Sequence, residues 1–148
     1  MPNPIDSLFA RLRSEQRKAF MPFVTAGDPD LGFTQQLLRA TAKAGADLIE
    51  VGFPFSDPIA DGPVIQASYT RALKNKLKLA DLFDSVGEVA NAPDWTTPLV
   101  AMASYSLIYK RGAMTFLKQA QAAGFSGAVV PDLPAEEAEE LAKHCRDV

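Results

Sequence analysis

One cysteine, one histidine and one tryptophan in 148 residues leave little room for several kinds of chemistry. The lone Cys145 cannot close an internal disulfide, which fits a reducing compartment. His144 is its neighbour, and adjacent residues on a helix point apart, so the two are neither a metal pair nor a nucleophile and its base. No metal-ligand spacing, P-loop or dinucleotide-binding glycine loop occurs, since Gly52 and Gly62 stand alone. No apolar run approaches the roughly 20 residues of a membrane helix. The stretch from Met1 to Arg13 mixes polar with apolar residues and holds no signal-peptide core. Neither sign of charge dominates. Fifteen basic and eighteen acidic residues give a formal charge of −3, no field for gathering phosphate backbones. These absences lead to the expectation of a cytoplasmic protein without metal, membrane or nucleic acid.

What is present is the composition of a globular chain: 47% hydrophobic and 22% charged residues exclude disorder, and the length suits one cored domain. Ile5, Leu8, Phe9 and Leu12 recur at helical spacing, so residues 1–14 are expected to form an amphipathic helix. From residue 19 onward, short apolar runs alternate with helical stripes. The runs are Ala19 to Val24, Leu48 to Val51, Leu99 to Met102 and Gly127 to Val130. Each is continuously apolar, as a strand covered on both faces is, although Pro22 lacks a donor and warns against a full ladder in the first. Helices are expected at Leu31 to Ala44 behind an Asp30 cap, Pro63 to Leu73, Leu79 to Val89, around Phe116 to Ala123, and Ala135 to Cys145. Strand followed by helix, four times over, is an α/β pattern with a parallel sheet. An open doubly wound sheet and a closed barrel both remain possible on this evidence. A (β/α)8 barrel takes about 250 residues, so four units make either a small open domain or the first half of a barrel. The stop directly after a helix reads as a truncation.

Polar groups gather just past the strands. Glu50 sits inside the second apolar run, where an unpaired charge is costly. It is either matched by a cation or a general acid/base with a raised pKa. Asp61 lies in the proline-braced loop from Phe53 to Gly62, which leaves the same strand and can return a second carboxylate over its mouth. Two carboxylates in unlike surroundings can divide into proton donor and charge stabiliser. Asp57, beside Pro58, fits loop stiffening. The segment Thr25 to Asp28 is a turn or a pocket rim, and Asp132 is expected to be a helix cap or loop anchor.

The segments Phe23-Val24-Thr25-Ala26-Gly27-Asp28-Pro29, Asp47 through Gln66 and Val130-Pro131-Asp132-Leu133-Pro134 strongly resemble the alpha chains of tryptophan synthase. The resemblance extends over essentially the whole chain. It implies the first four β/α units of a (β/α)8 TIM barrel. It also implies a lyase that cleaves indole-3-glycerol phosphate to indole and glyceraldehyde 3-phosphate by a retro-aldol reaction. The family's catalytic glutamate and aspartate fall on Glu50 and Asp61, and Phe23 falls on a position lining the indole pocket. Pro54, Asp57 and Pro58 match a surface that meets the beta chain, the partner expected to carry pyridoxal phosphate, while this chain would need no cofactor. Ser104 and Ser106 stand where many relatives have a tyrosine and an asparagine. The phosphate is commonly held after strands seven and eight, which these 148 residues do not contain, so the chain alone is expected to be inactive. The competing expectation is a non-catalytic half-barrel that pairs with itself or with a beta chain.

Overall fold

The computed structural model describes residues 3–148. Met1 and Pro2, the start of the expected first helix, lie outside them. Helix α1 (Pro4–Ser14) opens at Asn3, whose side chain accepts from the Ile5 amide at 2.8 Å, with a proline at its first position. Four strands follow: β1 (Phe23–Thr25), β2 (Ile49–Gly52), β3 (Leu99–Met102) and β4 (Phe125–Val129). They pair in parallel in the order β1-β2-β3-β4. The crossovers carry α2 (Leu31–Lys43), then α3 (Pro63–Leu73) with α4 (Leu79–Ala90), then α5 (Tyr105–Arg111) with α6 (Ala113–Ala122). After β4 come a 3-10 turn (Ala135–Glu137) and α7 (Glu139–Asp147).

The sheet is two-sided, and residue parity decides which side chain goes where. Val24, Ile49, Val51, Leu99 and Ala101 point toward the helices and join the main core with Leu38, Phe83, Val86, Ile108 and Phe116. Phe53, fully buried directly after β2, packs its ring 5.1 Å from Phe83, 5.9 Å from Phe116 and 5.7 Å from Phe125. Tilted and edge-on rings at these spacings add to the area term of burial. They give the loop after β2 a rigid root. On the opposite, inner face, Phe23, Glu50, Val100 and Gly127 share one rung of the ladder. Helix α1 closes the lower end of that face, packing Leu8 and Leu12 on Leu48 and Val100.

Boundaries differ from the sequence expectation where backbone donors decide. The β1 ladder begins at Phe23 rather than Ala19. Its approach is still tied to β2, with the Asp47 amide donating to the Phe20 carbonyl and the Glu50 amide to the Pro22 carbonyl. β4 starts at Phe125, two residues early, and skips Ser126 in its pairing with β3. That bulged residue's carbonyl accepts from the Asn3 side chain at 3.0 Å. Helix α5 was not anticipated, and the last expected helix divides into the 3-10 turn and α7. β1 and β4 are each paired on one side only within the described residues.

At the foot of β2, Asp47 takes two bonds from the Arg17 guanidinium, at 2.6 and 2.9 Å, and one from the Phe20 amide at 2.9 Å. The Arg17 contact, then the amide, holds its carboxyl below the usual carboxylate range. An acid whose folded pKa is depressed adds stability above its unfolded value, near 3.9, and loses it as pH falls through the folded one. Asp47→Asn is therefore expected to lower the urea midpoint at pH 7. The gap from the parent should be narrower in the same titration at pH 3.

Candidate functional site

Glu50 owes its position to parity. Its neighbours Ile49 and Val51 are buried on the helix side, so its own side chain takes the inner face, between Phe23 on β1 and Val100 on β3. No cation answers it: the ion pairs among the described residues use Glu15, Asp28, Asp47 and Asp94. Burial first, and then the charge of Asp61, pushes the Glu50 carboxyl up. Asp61 is itself pushed up, by burial and then by the charge of Asp132. Asp61 stands in the loop that leaves the strand bearing Glu50, and its charge reaches that carboxyl.

The loop that returns Asp61 is held by helix α3. Gln66 donates from its side-chain amide to the Asp61 carbonyl at 2.7 Å and to the Pro58 carbonyl at 3.3 Å. Turns within the loop run from the Ile59 amide to the Asp57 carbonyl and from the Asp61 amide to the Pro58 carbonyl. The same helix is fastened to β1 by the Ser68 and Thr25 hydroxyls, 2.7 Å apart. Arg71 makes a two-pronged ion pair with Asp28 at 3.0 and 2.7 Å, so the turn after β1 is tied to α3 as well. The segment Thr25 to Asp28, expected as a turn or a pocket rim, is a turn fixed to α3.

Between the loop and the ends of β3 and β4 lies a cavity walled by Asp61, Tyr69, Met102, Ser104 and Asp132. Asp132 is an anchor, as expected: it accepts from the Ser104 hydroxyl at 2.6 Å and from the Tyr105 amide at 2.7 Å, which starts α5. Ser104 is occupied in that cap, so no ring stands on that wall. Glu50 does not line this cavity but lies deeper, on the rung below Gly52. Gly52 is where the two levels meet. A Cβ there would overlap the Phe23 ring and stand 2.7 Å from the Tyr69 hydroxyl oxygen, so only glycine allows both to close over the inner face. Of the three residues expected at a partner surface, Asp57 is exposed, Pro58 half-buried and Pro54 buried at the root of the loop. Pro54 therefore offers no surface of its own. Tyr69, Ser68 and Gln66 were not singled out from the sequence. The position of Tyr69 four residues after Ile65 on the inward stripe of α3 was the available signal.

Comparison with known proteins is consistent along the whole chain. A family model described as tryptophan synthase alpha chain matches residues 9–148. The tryptophan synthase alpha chain of Rhodopirellula baltica is 52% identical over 97% of this chain and 52% of its own length. That of Rippkaea orientalis is 49% identical over 97% of this chain and 53% of its own length. The crystal structure of the alpha subunit from Legionella pneumophila superposes with a TM-score of 0.94 at 36% identity, covering 99% of this chain and 56% of that one. A Pyrococcus furiosus structure of the α2β2 complex gives a TM-score of 0.82 at 44% identity, over 87% of this chain and 52% of that one. The chain spans about half the length of the curated relatives it matches. Its four parallel β/α units overlay half of a (β/α)8 barrel.

Two outcomes follow from this geometry. An acid whose folded pKa is raised costs stability as pH climbs past its unfolded value, near 4.3. Glu50→Gln should therefore melt higher than the parent at pH 7 and at the same temperature below pH 4. Gly52→Ala should lose about 1–3 kcal/mol in urea unfolding, because its methyl group overpacks against Phe23 and Tyr69.

Proposed function

Because this chain belongs to the tryptophan synthase alpha chain family, we propose that it carries the acid–base half of an indole-3-glycerol phosphate aldolase. The observation that supports this best is the pair Glu50 and Asp61, one anchored in the sheet and one returned by the loop, each raised by burial. In the retro-aldol step the bond between indole C3 and the adjacent carbinol carbon breaks. The carbinol O–H proton leaves, its carbon becomes the aldehyde, and C3 gains a proton. C3 is protonated first: a carboxyl with a raised pKa can deliver that proton and then, as the carboxylate, accept the hydroxyl proton as the C–C bond breaks, and that is the role of Glu50. Asp61 faces the indole N–H and stabilises the positive charge that develops on the ring once C3 is protonated. Phe23 packs on the ring from β1. Proton transfer and charge stabilisation suffice for this step, so the chain uses no cofactor of its own.

The reading extends to a partner. The exposed tip of the loop, with Asp57, Pro58 and the 87% exposed Ile59, is the surface for a beta chain that receives indole and carries pyridoxal phosphate. Pro54 acts from beneath by directing the loop. The setting is cytoplasmic, where Cys145 stays reduced.

The test joins this chain to the second half of a full-length relative and follows indole release. The hybrid should turn over indole-3-glycerol phosphate. Glu50→Gln and Asp61→Asn should each reduce kcat by about 10²–10⁴-fold while leaving beta-chain binding within twofold of the parent. Near-normal turnover by the 148-residue chain alone, or full activity in either variant, would refute the assignment.

A further inference from the structure

Tyr69 meets both levels of the site. Its side chain is 3% exposed, its ring walls the cavity that Asp61 also lines, and its hydroxyl crosses Gly52 toward the rung above Glu50. Helix α3 leaves it little freedom to move. Ser68, the preceding residue, is bonded at once to Thr25 and to the Ile65 carbonyl, at 2.7 Å each. Gln66, one turn earlier, grips the loop that bears Asp61.

The charged groups around it are all acidic. Glu50 approaches from β2, Asp61 and Asp57 from the loop, and Asp132 from beyond β4. β1 and β3 contribute the uncharged Phe23 and Met102, and Arg71 on α3 is taken by Asp28. Burial, followed by the charges of Asp61 and Glu50, drives the phenol well above its ordinary pKa. It is therefore a neutral O–H wherever the carboxylates work. Once Glu50 has passed its proton to C3 it can only accept, as Asp61 does when ionised, so the oxygen whose proton Glu50 takes needs a separate donor.

We propose that Tyr69 is a substrate-binding residue whose ring packs on the ligand and whose hydroxyl donates a hydrogen bond to a side-chain oxygen of a hydroxylated substrate. This rests on the aldolase reading above, in which that oxygen passes from alcohol to aldehyde. The donor serves both states, because each keeps a lone pair for it, and the phenol itself gives up no proton.

Two ligands separate the hydroxyl's role from that of the ring. One is indole-3-glycerol phosphate, held uncleaved in the full-length hybrid by Glu50→Gln. The other is the same indole and phosphate joined by an unsubstituted three-carbon chain. Adding Tyr69→Phe, which keeps the ring and removes only the oxygen, should weaken the first by about tenfold in calorimetric Kd, the scale of one hydrogen bond. It should change the second by less than twofold. Equal losses for both ligands, or none for either, would overturn the assignment of Tyr69 and leave the carboxylate roles standing. A parent protein that binds neither compound would sink the aldolase reading, and the Tyr69 assignment with it.

Discussion

Register in a parallel ladder is the constraint on which the rest of this molecule depends. Phe23, Glu50, Val100 and Gly127 stand abreast, and a one-residue slip in any strand would exchange its inner and outer faces. In β2 such a slip would drive Glu50 into the aromatic core and turn Ile49 and Val51 toward the carboxylates. The Phe53 cluster opposes that slip. Phe53 is fully buried among three other phenylalanines, so the strand cannot shift without extracting it. The position of an acid on one face is thus secured by apolar packing on the other.

Helix α3 then converts a strand-end position into a site. Its hydroxyl and amide side chains fasten β1 and the loop to one rigid element, so Asp61, Tyr69 and the turn after β1 move together if they move at all. The cost is electrostatic. Glu50 and Asp61 are both pushed toward their protonated forms, and no cation among the described residues relieves Glu50. The Arg17–Asp47 ion pair at the foot of the sheet runs the other way. Asp47 is satisfied on three sides and contributes nothing to the mouth of the sheet. Acids at the foot and at the mouth of the sheet are thus held in opposite ways.

The parts legible in the sequence were those with a local signal. A carboxylate flanked by Ile49 and Val51 could not belong to the core, and prolines around Asp61 announced a stiff loop. Asp30 and Gly45 marked the limits of α2; the first accepts from the Phe33 amide at 2.7 Å, and the second takes φ +96°. What escaped notice depended on contacts far away along the chain. Helix α5 begins because Asp132, 27 residues later, accepts the Tyr105 amide. The Ser126 bulge is tolerated because Asn3 meets its carbonyl. Tyr69 looked like one more member of a helical stripe, since only the glycine two residues past Glu50 reveals what its hydroxyl approaches. Pro54 matched a partner surface by motif, yet the depth of its neighbour Phe53 draws it inside.

Helix α1 rests on Leu48 just before β2 and Val100 of β3, beneath its leucines, and on Gly127 of β4, whose missing side chain leaves room for Ile5. Its cap residue also reaches Ser126, across 123 positions of chain. The seat for this helix is therefore complete only once β4 has joined the sheet. Contacts of such separation are slow to form, so the full docking of this amphipathic helix is a late event in folding.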